Sequence, residues 1–258
     1  MKTREGNKLQ FKAMQILPKK NSIRKSVLLY RRILRKKGHG VHSPFVYNLI
    51  TKVIEERCPY YSFSGIELLR KRLLMQGETA CVVAHEAIPP KHCALLFRLA
   101  NYFRSQNILQ IGASAGLSTL YLTSYAKDVR CITLEKTSER ASIARWVYEE
   151  AARTPIDLRV GDYQNLLPFT LKDMGRIDLV FFNTHKETSN AGLFNICVKY
   201  AHPDTVFVFE GIKANNSMLK LWKTVRTHPD VTVTLDLYSI GIAFFNKKLH
   251  KRNYTVYF

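Results

Sequence analysis

The chain has 258 residues, enough for one large domain with an N-terminal extension. Its 40 Lys and Arg against 20 Asp and Glu leave a net charge of +20, so an anionic partner has to be considered. No apolar run approaches the roughly 18 residues needed to span a bilayer, the N-terminus lacks the apolar core and cleavage site of a secretory signal, and five scattered cysteines without a C-x-x-C pair supply no zinc motif. A reducing cytoplasm is the expected setting.

The predicted elements begin with a basic leader, residues 1–40. It holds thirteen Lys or Arg and one acid, Glu5, and so carries 12 of the 20 net charges. Ser26 to Lys37 can form a short helix with Val27, Leu28, Ile33 and Leu34 partly clustered. Residues 1–37 are a candidate contact for nucleic acid, an anionic surface or an acidic partner. A solvated leader that aids solubility accounts for the same charge. No zinc-finger spacing or aromatic RNA-binding consensus supports the nucleic-acid reading.

Residues 41–94 are predicted to form a helical cap. Ser43 to Glu56 places Phe45, Val46, Leu49, Ile50 and Val53 at helical spacing, and Gly65 to Gln76 repeats the pattern. Pro89-Pro90 breaks the chain before a helix from His92 to Arg104. His39 and His42 flank a glycine and read as pocket-facing or as solvated.

The core, residues 95–258, opens with Asn107-Ile-Leu-Gln-Ile-Gly-Ala-Ser-Ala-Gly-Leu-Ser-Thr119. Ile108 to Ile111 is a buried strand, and Gly112 and Gly116 open a turn into a helix. Such a turn lets a ligand approach the backbone at a helix N-terminus. The G-x-x-x-G spacing departs from the G-x-G-x-x-G dinucleotide fingerprint. A second strand, Cys131 to Leu134, ends in Glu135, nineteen residues after Gly116. That is close to the interval at which nucleotide-binding α/β domains place a ribose-binding carboxylate. A plain acid before a helix N-cap is the alternative.

The alternation continues through a helix from Ser138 to Ala152, a strand from Ile156 to Val160, a strand from Arg176 to Phe182 and a helix from Ala191 to Ala201. A strand from Asp204 to Glu210 and a helix from Ser217 to Thr227 follow. Val231 to Leu237 and Ile240 to Phe245 are separated by Tyr238-Ser239 alone, which allows only an antiparallel pair. The expected fold is α/β and Rossmann-like, a mostly parallel sheet with helices on both faces and an antiparallel C-terminal hairpin.

From about Leu95 onward, these motifs resemble class I S-adenosylmethionine-dependent methyltransferases of the O-methyltransferase-like branch. His39-Gly-Val-His-Ser-Pro-Phe45 and the tail from Val231 to Phe245 resemble a group of small bacterial members. The resemblance implies a seven-stranded sheet with S-adenosylmethionine at the C-terminal ends of its first strands. It assigns Gly112, Ala113, Ser114 and Gly116 to the loop under the cofactor's methionine, Glu135 to its ribose, and Asp162 to the adenine region. Asn183, after the fourth strand, completes the cofactor set. It also implies that N-terminal helices cover the cofactor and shape the substrate pocket. Three positions depart from the family pattern. Gln110 stands where relatives carry an acid, Asn183 where an Asp is usual, and Glu210-Gly211 where one or two acids are usual. Those acids hold a divalent cation in metal-dependent relatives. A neutral amide and a glycine are poor substitutes, so no metal site is expected.

The implied reaction is transfer of a methyl group to an oxygen nucleophile of a small molecule, driven by alignment and exclusion of water. His185 is the candidate base near Asn183. The fourth strand is not followed by Asn-Pro-Pro-Tyr or Asp-Pro-Pro-Tyr, which argues against amino-directed methyltransferases. The competing reading is a catalytically impaired protein of this fold that acts as a binding module through its basic leader.

Overall fold

The computed structural model describes residues 41–152, 156–184, 187, 190–256 and 258, with the side chain of Glu78 left aside. The basic leader, His39, His185 and the amphipathic stretch from Ser26 to Lys37 therefore lie outside the described residues.

Among the described residues, four α-helices precede the first strand: α1 (Pro44–Leu49), α2 (Tyr61–Leu73), α3 (Gly77–Glu86) and α4 (Pro90–Phe103). Helix α1 starts where Ser43 Oγ accepts the Val46 amide and Pro44 occupies the first turn. It runs into a π-helical turn, Ile50–Ile54, marked by a bond from Glu55 N to Ile50 O of 2.9 Å. The wider turn keeps Ile50, Val53 and Ile54 buried together. Helix α2 starts four residues before the expected Gly65 and runs through it.

Strands and helices then alternate: β1 (Asn107–Ile111), α5 (Leu117–Thr123), β2 (Arg130–Glu135), α6 (Ser138–Glu150), β3 (Ile156–Val160), α7 (Tyr163–Met174), β4 (Leu179–Phe182), α8 (Asn190–Val198), β5 (Val206–Glu210), α9 (Asn216–Thr227), β6 (Val233–Asp236), β7 (Ile240–Phe244) and β8 (Arg252–Thr255). They form one sheet in the order β3-β2-β1-β4-β5-β7-β6-β8. Strand β7 is antiparallel to both neighbours, and the other pairings are parallel. The sheet therefore has eight strands, not the expected seven. The extra one, β8, pairs with β6 at the edge, and its residues are mostly exposed.

Alternation along the strands divides the core in two. Ile108, Cys131, Leu179, Phe181, Val206 and Val208 face one side with α1, α2, α4, α5 and α6. Leu109, Ile111, Val180, Phe182, Phe207 and Phe209 face the other with α7, α8 and α9. Phe182 and Phe209 stack at 4.6 Å on that second side. The helices of residues 41–94 pack onto the core of the sheet. Val46, Leu49, Leu69 and Leu73 belong to the same apolar cluster as the strands, and each such side chain contributes roughly 1.5–3 kcal/mol by burial. Cys131 and Cys197 are buried free thiols, and burial pushes Cys131 up to about 12. Among the described residues, no helix is long and apolar enough to cross a membrane.

Asp178 fixes the register of β1 against β4. One carboxylate oxygen accepts the amides of Gln106 and Asn107 at 2.9 and 2.8 Å, and the other meets Arg176 and His202. Strand β4 spans Leu179–Phe182, shorter than the expected Arg176 to Phe182, although the Asp178 backbone still bonds Asn107 O and Val206 N on either side. Burial pushes the Asp178 carboxyl up, but the Asn107 amide, Arg176 and His202 outweigh it and hold it below the ordinary value. A carboxyl lowered on folding contributes stability above its unfolded pKa, about 3.9, and that contribution fades as pH falls through the folded value. Asp178→Asn should therefore cost about 1 kcal/mol near neutrality. Urea unfolding across pH should show a constant gap from wild type above about pH 4 that narrows below it.

Candidate functional site

In strand order the chain moves outward from β1 to β3, then returns to β4 on the other side of β1. Open α/β sheets bind ligands in the crevice that this reversal leaves at the strands' C-terminal ends. Here that crevice is bounded by the turn after β1, the end of β2 and the end of β4.

The turn after β1 is held tightly from below. Gly112 N and Ala113 N both donate to Leu134 O, at 2.9 and 3.2 Å. Gly112 has φ +91°, and a Cβ there would drive into the Asn183 backbone, whose carbonyl carbon would be 3.1 Å away. The glycine is thus required by the approach of β4. At Gly116, with φ +77°, a Cβ would meet Tyr148 at 2.8 Å and Ala144 at 3.1 Å, so this glycine lets α6 pack under the turn.

Gln110 is completely buried beneath the turn. Its Nε2 donates to Gly112 O at 2.9 Å and to Ser118 Oγ at 3.0 Å, while its Oε1 accepts from Thr119 Oγ1 at 3.0 Å. Thr119 Oγ1 continues to Tyr148 OH at 2.9 Å. A carboxylate has no proton for Gly112 O. The amide is matched to its surroundings, and the departure at this position is compensated locally.

Glu135 lies at the floor of the crevice with about 2% of its side chain exposed. It accepts Ser114 N at 2.9 Å through Oε2 and Lys136 N at 2.9 Å through Oε1. Ser114 adopts φ +53°, which aims its amide at the acid. Arg140 stands 3.9 Å from Glu135 Oε1 and forms a two-pronged pair with Glu86 at the end of α3. Sequence reading missed both Glu86 and Arg140, which have no motif. Tyr163 lines the wall, and burial together with the Glu135 and Glu187 carboxylates pushes its phenol up, so it stays a proton donor.

Asn183 Nδ2 donates to Gly112 O at 3.3 Å. Asn190 Nδ2 holds the returning chain through Thr184 O and Glu187 O. Five buried polar atoms around this rim have no partner among the described residues: Ser114 Oγ, Thr137 Oγ1, Asn183 Oδ1, Thr184 Oγ1 and Asn190 Oδ1. Unpaired buried polar atoms are costly, and such a concentration points to a ligand or water that completes them.

The other expected positions fall as follows. Asp162 is exposed and caps α7, accepting Gln164 N at 3.0 Å, and touches the cleft only through its neighbour Tyr163. His42 is exposed ahead of α1 and does not line the cleft. Glu210 accepts from His92 Nδ1 at 3.0 Å. Among the described residues no group of three or more His, Cys, Asp or Glu is placed to hold a metal.

The cleft is shallow, with about 350 Å³ of empty space when the open solvent at its mouth is included. A larger hollow, about 880 Å³, lies between α2, α5 and the end of α6, lined by Ile66, Leu68, Leu69 and Leu120. None of the unpaired polar atoms lines it. We place the functional site at the smaller cleft because the convergent polar groups are there.

Residues 109–212 match the sequence model of a methyltransferase-domain family. A catechol O-methyltransferase from Niastella koreensis is 26% identical over 136 residues, which span 52% of this chain and 61% of that protein. Among solved structures, a Podospora anserina methyltransferase bound to S-adenosylhomocysteine superposes with TM-score 0.61 at 14% identity, covering 89% of this chain and 98% of the other. The O-methyltransferase TomG from Streptomyces achromogenes, in complex with S-adenosylmethionine, gives 0.57 at 19% identity over 76% and 94%. An O-methyltransferase from Bacillus cereus, in complex with S-adenosylhomocysteine, gives 0.56 at 17% over 78% and 97%. The fold is the class I O-methyltransferase-like fold. The segment from His39 to Phe45 lies outside the matched family region.

Proposed function

We propose that the chain is an S-adenosylmethionine-dependent methyltransferase that acts on an oxygen nucleophile of a small molecule. The observation that carries this reading is that Ser114, Asn183 and Thr184, each with an unpaired buried polar atom, line the same cleft as Glu135 at the β1–β4 reversal. The likeness to the catechol enzyme and to cofactor-bound neighbours supports the choice of cofactor and acceptor atom.

The residues fit the cofactor. Glu135 accepts the Lys136 and Thr137 amides on Oε1 and the Ser114 amide on Oε2, which leaves Oε2 a lone pair for a ribose hydroxyl. Ser114 Oγ, Asn183 Oδ1 and Thr184 Oγ1 offer further polar contacts beside the turn. When bound, the cofactor supplies a methyl group on a positively charged sulfur. The chain's part is to orient that group, exclude water and manage the acceptor's proton.

The reaction is proposed to be independent of a divalent cation. Asn183 is neutral, Gly211 has no side chain, and the Glu210 carboxylate is already engaged by His92. Transfer of labelled methyl from S-adenosylmethionine to a panel of small phenols and alcohols tests both points. Incorporation should persist in excess chelator and should not rise with added Mg²⁺. Activity abolished by chelator and restored by Mg²⁺ would contradict the metal-free reading. No incorporation into any acceptor by protein that binds cofactor would favour the impaired binding module.

A further inference from the structure

Next to the cleft lies a second cluster that joins three elements. His92, in the first turn of α4, places Nδ1 at 3.0 and 3.2 Å from the two oxygens of Glu210. Its Nε2 is 3.2 Å from Ser239 Oγ, in the turn between β6 and β7. Glu210 ends β5, and Phe209 pairs with Phe182, so Glu210 stands beside Asn183 at the next strand position. One strand spacing is about 4.8 Å. The pair is therefore at the rim of the crevice, one strand from the residue that touches the Gly112 turn. Both side chains are nearly buried, with His92 13% and Glu210 10% exposed.

The chemistry of this pair is directional. An ionised carboxylate can only accept, so the hydrogen on His92 sits on Nδ1, and in the neutral ring the lone pair is on Nε2. Nε2 faces a hydroxyl, that of Ser239. A base held by a carboxylate, with its free nitrogen on a hydroxyl at the ligand edge of the sheet, does more than join α4 to β5. Its neighbours are aromatic: the Phe258 ring is 6.1 Å from the imidazole, Lys91 lies over that ring at 4.1 Å, and Tyr238 is half exposed beside Ser239.

We infer that His92 is the catalytic base of the methyl transfer, accepting at Nε2 the proton of a phenolic hydroxyl seated at the Ser239 side, with Glu210 as its positioning residue. This rests on the methyltransferase reading above. As the acceptor oxygen bonds to the methyl carbon, the carbon–sulfur bond breaks and its electron pair stays on sulfur, leaving a neutral thioether. The acceptor's proton ends on Nε2, the Glu210 carboxylate balances the imidazolium, and the proton leaves to water after product release. A phenol suits this base. Ordinary phenols ionise near 10 and ordinary imidazoles near 6.5, a gap of only about 3.5. The aromatic walls suit a ring as well.

The test uses the full chain with catechol as the acceptor, in chelator. Calorimetry first establishes that wild type, His92→Gln and Glu210→Gln bind S-adenosylhomocysteine equally. A wild-type protein that binds none fails the cofactor reading itself. With loading established, wild type should methylate catechol, and His92→Gln should lower kcat by roughly 10²- to 10⁴-fold, the usual loss of a general base. Glu210→Gln should lower kcat with KM little changed. Nitrogen-15 spectra of the loaded wild-type protein should show the His92 proton on Nδ1, with a mixture of tautomers in Glu210→Gln. Cofactor binding without catechol methylation, full turnover in His92→Gln, or a proton on Nε2 of neutral His92 would overturn the inference.

Discussion

Gly112→Ala is expected to unfold or severely destabilise the protein. Its φ of +91° costs an L residue roughly 1–2 kcal/mol. The added methyl would also collide with the Asn183 backbone, which is part of β4 pairing and cannot swing aside like a flexible side chain. Overpacking of this kind costs about 1–3 kcal/mol more. Together these give about 2–5 kcal/mol, or a fall in Tm of roughly 5–20 °C for a chain of this size. Thermal melts of the two proteins check this. The cause differs from the one the sequence alone proposes, which is space reserved for the cofactor. A variant as stable as wild type that binds cofactor weakly would favour that earlier explanation.

Glu135→Ala is expected to act twice. Loss of a charged hydrogen-bond acceptor for the ribose should weaken S-adenosylhomocysteine binding by roughly 10- to 100-fold, from about 1.5–3 kcal/mol. The same change leaves the buried Ser114 amide without its acceptor, which costs about 1–3 kcal/mol of stability. The carboxylate is therefore expected to hold the turn as well as the ligand. Calorimetry and thermal melts on one sample separate the two effects. Unchanged affinity in the folded variant would remove Glu135 from the binding site.

What the sequence made legible follows from local physics. Ile108 to Ile111, Cys131 to Leu134 and Asp204 to Glu210 are apolar runs that end in a glycine or an acid, and they place three adjacent or near-adjacent strands with their ligand ends. The Tyr238-Ser239 connection dictates the antiparallel strand, which the pairing of β6 with β7 bears out. Helix α7 was hidden by Pro168, which sits inside it although proline ordinarily breaks a helix. Helix α3 buries little beyond Val83, so it shows no apolar stripe. Strand β8 is an exposed edge with no alternation to read.

The site was legible only where its residues are consecutive. Gly112 to Gly116 and Glu135 carry their spacing in the chain. The Glu86–Arg140 pair and the His92–Glu210–Ser239 cluster come from elements far apart in sequence, His92 and Glu210 being 118 positions apart. Only the strand order brings them together. The departure at Gln110 also changes meaning in three dimensions. Read alone it signals a damaged motif, whereas its three hydrogen-bonding partners make it a fitted support of the turn.

The most direct measurement of the central claim is calorimetric titration of the full chain with S-adenosylmethionine and S-adenosylhomocysteine. The account predicts saturable binding of one molecule per chain, with a dissociation constant between about 1 µM and 1 mM, the range in which enzymes commonly meet their substrates. Absence of binding by either compound at millimolar concentration would contradict it.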